Sequence, residues 1–229
     1  MCYCAASSES LGPLKNGDSV LFNSKVFTAQ VNFTLRTSFV FLPEDGHCFI
    51  DRTTGAALNL DYFDVDDWRR YGLSPVVSDL PTGAPAKAGI VQVDGVAVAA
   101  GSDNPPLKKE AALEYLERVL ADTKAFRAGL AYRKDLKDQY PPMTVIYSKT
   151  TPTVRGALVD GYEGIKRPDP YEDLVFGAGD GVCLARAAML PPGYTCAQKV
   201  AVDRGHLSLL GELEAVGKCV QAIVKERGW

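Results

Sequence analysis

The sequence predicts an α/β fold, and two observations in its C-terminal half indicate it. Three short runs rich in apolar and β-branched residues are bounded by turn residues, as strands are, and they cover residues 143–147, 173–176 and 194–202. Helical patterns lie before, between and after these runs. Because strands that alternate with helices build parallel sheets, we expect a partial parallel sheet with flanking helices.

The first predicted strand, residues 143–147, follows Pro141 and Pro142 and precedes a loop-like stretch from Ser148 to Pro152. A short β-branched run bounded in this way is typical of a buried parallel strand with a functional loop at its carboxyl end. We therefore expect site residues where these strands end.

Helical periodicity predicts three helices around the strands. Residues 108–133 carry one apolar stripe, which indicates a packing surface: Ala112, Leu116, Val119 and Leu120. From Gly211 onward a second stripe repeats at helical spacing: Leu213, Val216, Val220 and Ile223. Acidic residues near the start of that helix and basic residues near its end suit the helix dipole. A shorter helix is expected over residues 182–189.

The N-terminal half predicts a hairpin and a capped helix. Turn residues at Asp45-Gly46 and Thr54-Gly55 bracket the hairpin. Carboxylates then crowd around Trp68, but they lack the ligand order of a calcium-binding loop and fit the start of a solvated helix that Asp64 caps. Five phenylalanines in the same half predict either buried core or a lid: Phe22, Phe27, Phe33, Phe39 and Phe41.

Composition along the chain predicts three regions. Residues 1–15 are expected to be a disordered N-terminus. Residues 16–106 form a cap-like or lid-like region that ends in a flexible linker, because residues 81–106 are dense in Gly, Ala, Pro and Ser. Residues 107–229 contain the predicted strands and form the α/β core.

Bulk composition excludes several classes of partner. The 229 residues are 46% hydrophobic and carry a formal net charge of -3, which gives no basic face for nucleic acid. The six cysteines form no CxxC pair, so we expect neither a metal site nor another cofactor. No apolar run is long enough to span a bilayer, and no secretory signal is recognisable, so a cytoplasmic location is predicted.

Two residues are candidates for catalysis because of where they stand. Asp180 lies between glycines just after the second predicted strand, and His206 follows the third predicted strand after another glycine. Loops at the carboxyl ends of parallel strands meet at one edge of a sheet, where α/β proteins place their sites. An acid followed by a histidine, with a helix and a strand between them, is the order of the last two members of a Ser-His-Asp relay.

These residues carry a resemblance to a known family. The segments FGAGDGVCLAR from Phe176, PPGY from Pro191 and DRGHLSLLG from Asp203 resemble the C-terminal part of α/β-hydrolases of the lecithin:cholesterol acyltransferase-like and fungal lipase-like type. The resemblance implies that Asp180 is the catalytic acid and that His206 is the catalytic histidine. Residues 16–42 are also similar to the region where the chain of these proteins enters a cap over the acyl pocket.

The chain departs from the family pattern at the nucleophile. A G-x-S-x-G elbow should precede the acid, yet the nearest approaches, around Ser19 and Ser74, lack the second glycine. Cys183 is a candidate substitute, although packing in the core explains it better. Ser208 is too close to His206 in sequence to serve it, and we expect it to cap the final helix.

The resemblance implies an acyl-ester hydrolase or O-acyltransferase of lipid metabolism whose serine is absent from this chain. The alternative is a catalytically inactive truncated fragment or a binding module. Expected partners are a lipid or another acyl ester, with transient contact to a membrane surface. A sheet stripped of its first strands also exposes an edge, which predicts self-association.

Overall fold

The computed structural model describes residues 7–16, 29–81, 90–93, 96–99 and 107–228. Its α-helices are α1 (Ser7–Asn16), α2 (Ala29–Thr34), α3 (Arg36–Val40), α4 (Val65–Tyr71), α5 (Lys109–Gly129), α6 (Gly161–Ile165) and α7 (Leu213–Glu226). Its strands are β1 (His47–Asp51), β2 (Ala57–Asn59), β3 (Ile90–Val93), β4 (Val96–Ala99), β5 (Met143–Ser148), β6 (Thr151–Val159), β7 (Leu174–Gly179) and β8 (Cys196–Val202). Two 3₁₀ helices cover Lys134–Gln139 and His206–Gly211.

The chain divides into two compact units. The N-terminal unit contains Ser7–Lys124 and Ala157–Asp173, and the C-terminal unit contains Ala125–Gly156 and residues 174–228. Strand β6 contributes its first residues to the C-terminal unit and its last three to the N-terminal unit. The chain is therefore of the mixed α/β class, as predicted, although the predicted boundary between residues 106 and 107 does not coincide with this division.

Strands β1 and β2 form the predicted hairpin in the N-terminal unit, with Ile50 opposite Ala57. Strand β1 also pairs in parallel with the end of β6, where Phe49 lies opposite Ala157. In the C-terminal unit β7 neighbours β6, and β5 pairs in parallel with β8. Parallel pairing thus occurs in both units, and the sheet that contains β1 is mixed because β1 pairs antiparallel with β2 and parallel with β6.

An aromatic cluster forms the centre of the N-terminal unit. Phe33, Phe39 and Trp68 are fully buried, and the ring centroids of Phe39 and Trp68 lie 5.7 Å apart. The indole N–H of Trp68 donates to the Tyr62 carbonyl oxygen at 2.8 Å, so this large side chain is buried with its polar group satisfied. Of the five phenylalanines, two are therefore core, Phe41 is 39% exposed, and Phe22 and Phe27 lie outside the described residues.

The structure confirms two predicted helices, α4 and α5. Asp64 caps α4, because its carboxylate accepts the Asp66 backbone N–H at 2.9 Å, and Gly72 ends the helix in the left-handed conformation. Helix α5 buries the whole predicted stripe: Ala112, Leu116, Val119 and Leu120. It ends four residues earlier than predicted, at Gly129.

The N-terminal segment differs from its prediction where it is described. Residues 7–15 are not disordered, since they lie in α1 and bury Leu11 and Leu14 completely. Lys15 Nζ donates to the Ile165 carbonyl oxygen at 2.8 Å. Burial lowers the pKa of Lys15 to about 8, and Asp169 partly opposes that change. Within the predicted linker, β3 and β4 form an antiparallel hairpin, and the remaining residues from 82 to 106 lie outside the described ranges.

Strands β5, β7 and β8 confirm the three predicted strands, but the connections between them differ. Residues 151–159, of which the first were expected in a loop, form strand β6. Pro152 obscured this strand in the sequence, and its position beside the first residue of β6 is one that proline tolerates. Residues 182–189 are turns rather than a helix, because an isolated bridge joins Gly179 to Leu184 and the Ala185 N–H donates to the Ala178 carbonyl oxygen at 2.9 Å.

Helix α7 is present, but its inward face differs from the predicted stripe. Ala215 and Cys219 are buried, whereas Leu213 and Val220 are 79% and 53% exposed. The other two residues of the stripe, Val216 and Ile223, are half-buried, so the stripe is only partly directed inward. Across the described residues, no helix combines the length and apolar character that crossing a membrane requires.

Candidate active site

Asp180 stands directly after β7, where a tight turn holds its carboxylate. One carboxylate oxygen, Oδ1, accepts the backbone N–H groups of Val182 at 2.9 Å and Cys183 at 2.6 Å. The Asp180 N–H in turn donates to the Cys183 carbonyl oxygen at 3.1 Å. The residue is only 6% exposed, so the carboxylate is buried and fixed in orientation.

His206 meets this carboxylate twice. Its backbone N–H donates to the Asp180 carbonyl oxygen at 2.8 Å, and its ring nitrogen Nδ1 lies 2.9 Å from Asp180 Oδ2. A carboxylate can only accept, so the neutral imidazole carries its proton on Nδ1. The other ring nitrogen, Nε2, is then an acceptor on a side chain that is 39% exposed. The two predicted site residues are thus brought together as a hydrogen-bonded dyad.

The electrostatics of Asp180 suit that geometry. Burial raises the pKa of its carboxyl group, but hydrogen bonds from His206 and from the backbone of Cys183 and Val182 lower it by more. The net pKa lies below the ordinary value of 3.8. Asp180 is therefore ionised at neutral pH and can stabilise a positive charge on the imidazole.

The flanking glycines are required by close approach and by backbone angle. A Cβ at Gly179 would clash with Thr153 Oγ1 and with the Cys183 carbonyl oxygen. Gly181 has a φ of 98°, which side chains disfavour, and its N–H donates to Thr153 Oγ1 at 2.8 Å. Thr153 supports the acid turn, and no sequence pattern indicated this role because Thr153 lies on the unpredicted strand β6.

Polar contacts on either side hold the loop that carries His206. Thr150 Oγ1 donates to the carboxylate of Asp203, which joins the residues that follow β5 and β8. Arg204 Nε donates to Glu212 Oε2 at 2.8 Å, across the 3₁₀ helix that begins at His206. The imidazole therefore sits on a braced loop.

Cys183 lies beside the dyad but is a poor candidate for a nucleophile or a metal ligand. Potential ligand atoms of Asp180, Cys183 and His206 lie within 4.8 Å of one another. The Cys183 sulfur, however, is disulfide-bonded and 1% exposed, so it is not a thiolate. Its burial confirms the prediction that it packs in the core, although the predicted helix around it is absent.

Two of the three candidate serines, Ser74 and Ser208, lie in the described residues, and each forms a local hydrogen bond with the backbone. The prediction that Ser208 caps α7 is wrong. Its hydroxyl donates instead to the Gly205 carbonyl oxygen at 3.0 Å. Ser74 is fully buried in the N-terminal unit, where its Oγ accepts the Val76 N–H at 3.4 Å. Ser19 lies outside the described residues.

Comparison with known proteins gives one informative match. No protein-family model matches the chain, and no solved structure matches it significantly. A Saccharomyces cerevisiae protein described as uncharacterized protein YJR098C is 34% identical over 250 aligned residues, which cover 93% of this chain. The chain spans 38% of the length of that yeast protein. It is thus similar to one part of a longer protein whose description names no activity.

Proposed function

We propose that the chain contributes the acid and the base of an acyl-ester hydrolase or O-acyltransferase that acts on lipid esters. The proposal includes that the C-terminal unit is the end of an α/β-hydrolase fold, that the protein acts in the cytoplasm, and that a serine outside these 229 residues is the nucleophile. The observation that carries it is the 2.9 Å contact between His206 Nδ1 and Asp180 Oδ2, with the carboxylate fixed by two backbone N–H groups.

The geometry supplies the proton transfers of acyl transfer. With Nδ1–H donated to Asp180, His206 Nε2 takes the serine proton as the serine oxygen attacks the ester carbonyl. Collapse of the tetrahedral intermediate breaks the ester C–O bond, and the Nε2–H protonates the departing alcohol. Water or a second alcohol then attacks the acyl-serine, and His206 again removes and returns the proton. The buried Asp180 carboxylate stabilises the imidazolium in both steps.

The experiment needs the remainder of the longer protein. We would build a chimera in which this chain replaces the matching segment of YJR098C, and measure kcat/KM for p-nitrophenyl esters. His206→Ala should lower kcat/KM by roughly 10⁴-fold, because the general base is lost. His47→Ala is the matched control, since His47 is the other histidine of the chain and is exposed, and it should leave kcat/KM unchanged.

The isolated 229-residue chain is expected to be inert in the same assay. Turnover by the isolated chain that His206→Ala abolishes would reveal a nucleophile within it and would overturn the external serine. A folded chimera without turnover would instead favour the non-catalytic binding module.

A further inference from the structure

Three exposed leucines follow His206 and form what we call the leucine stripe: Leu207, Leu210 and Leu213. Their side chains are 99%, 74% and 79% exposed. Residues three apart lie on one face of a 3₁₀ helix, so Leu207 and Leu210 point the same way, and Leu213 continues the spacing into α7. Burial of apolar side chains is favourable, so such a stripe indicates a surface that a partner covers.

The neighbouring sheet is incomplete as well. Within the described residues, β5 and β8 pair in parallel and form a sheet with no third strand. Parallel strands are normally buried on both faces and flanked by further strands. Strand β8 exposes Lys199, which protects a natural edge, whereas β5 carries no charged residue and its residues are buried or half-buried. Among the described residues no strand pairs with the edge of β5 that faces away from β8, and this edge is the more open to pairing.

The two features adjoin the dyad. The 3₁₀ helix His206–Gly211 contacts β5, and α7 packs against both β5 and β8. Since His206 is the first residue of that 3₁₀ helix, the leucine stripe, the β5 edge and the imidazole belong to one region of the C-terminal unit.

We propose that this region docks a polypeptide segment that adds a parallel strand to β5, covers the leucine stripe and brings its serine to His206 Nε2. The inference rests on the proposed function and names the partner that it requires. The occupant is the part of the longer protein that the match leaves uncovered, because the chain spans 38% of its yeast relative.

The charges around the stripe disfavour an anionic membrane surface as the occupant. Arg204 is paired with Glu212 at 2.8 Å, and Lys218 with Glu214 at 2.7 Å. No basic face remains among these residues to attract lipid phosphate. A second copy of the chain would bury the leucines but would bring another dyad, not a nucleophile.

Hydrogen–deuterium exchange compares the isolated chain with the chimera. Amides of Met143–Ser148 and His206–Leu213 should exchange roughly tenfold more slowly in the chimera, because docking protects the β5 edge and the stripe. The double variant Leu207→Asp, Leu210→Asp should lose that protection. Phe126→Asp is the matched control, since Phe126 is 51% exposed in the same unit, on α5, and it should keep the protection.

Failure of docking and failure of the proposed function give different results. Equal exchange in the two proteins, with ester turnover that depends on His206, would overturn docking and leave the function standing. Protection that depends on the leucines, without ester turnover, would support docking and reject the function.

Binding of the two alternative occupants, a second copy of the chain and a membrane surface, is measured directly on the isolated chain. A dimer in light scattering, or binding to vesicles that contain anionic phosphatidylserine, would overturn the proposed occupant if Leu207→Asp with Leu210→Asp abolished it and Phe126→Asp did not. A monomeric chain that does not bind the vesicles supports the proposal.

Discussion

The two units are stabilised in different ways. Every one of the largest fully buried side chains, Trp68 and Phe39 among them, lies in the N-terminal unit. The C-terminal unit has few and mostly small buried side chains, such as Val145 and Ala215, and it exposes Leu207 almost completely. The hydrogen bonds around Asp180 add to the packing of α7 on β5 and β8 in this unit. The unit that carries the candidate chemistry is thus the one whose apolar surface is least covered.

The largest expected effect on stability is in the N-terminal unit. Trp68→Ala should lower the free energy of unfolding by about 4 kcal/mol, because it leaves a cavity and removes the hydrogen bond to Tyr62. Urea unfolding measures this. Phe126→Ala, on a side chain that is 51% exposed, is the control and should change little. Equal effects of the two variants would contradict the division into a packed unit and a poorly covered one.

In the C-terminal unit the sensitive residue is polar. Asp180→Ala should cost about 2 to 3 kcal/mol, because the N–H groups of Val182 and Cys183 lose their acceptor. Asp180→Asn keeps an oxygen for them and should cost less. Its amide would donate to His206 Nδ1, so the imidazole proton should move to Nε2, which ¹⁵N NMR detects. A proton that stays on Nδ1 in the variant would argue against the observed contact.

The pH dependence of Asp180 follows from its lowered pKa. The folded chain holds the carboxyl proton less tightly than the unfolded chain, so ionised Asp180 stabilises the fold above its ordinary pKa of 3.8. The advantage of the wild-type chain over Asp180→Asn should therefore disappear as the pH falls below 3.8. An advantage that is independent of pH would show that the charge of Asp180 contributes nothing to stability.

Lys15 gives a dependence of the same sign, at higher pH, in the N-terminal unit. Its pKa is lowered from 10.5 to about 8, so between these values the unfolded chain binds more protons than the folded one. Stability should therefore rise with pH across that range, by about 3 kcal/mol. Lys15→Met should remove the rise, and Lys218→Met, on an exposed helix position, should keep it. Parallel pH profiles for all three proteins would contradict the burial of Lys15.

The smallest expected effect is at the leucine stripe. In the isolated chain, Leu207→Ser should change the free energy of unfolding by less than about 0.5 kcal/mol, because its side chain is 99% exposed. A cost comparable to that of Trp68→Ala would mean that the leucine is already packed. Thermal unfolding of the isolated chain measures the difference.

Local patterns predicted the elements that local forces determine. The N-cap at Asp64 and the buried stripe of α5 depend on neighbouring residues, and both are confirmed. The pairing of Asp180 with His206 was predicted because each residue follows a strand, a position that topology brings together.

The mistaken elements depend on contacts distant in sequence. Residues 182–189 lack a helix because the Asp180 carboxylate and a bridge to Gly179 capture backbone groups that a helix would use. The predicted stripe of α7 assumed that apolar residues face inward, yet Leu213 and Val220 face outward. Periodicity identifies an apolar face, but it does not say whether this chain or a partner covers it.

Active-site labelling of the chimera tests the central claim most directly. A fluorophosphonate probe reacts with a serine that a histidine activates, and peptide mass spectrometry locates the adduct. We predict an adduct on a serine outside these 229 residues, present with His47→Ala and absent with His206→Ala. An adduct within the 229 residues, or one that survives His206→Ala, would contradict the assignment of Asp180 and His206 to an external serine.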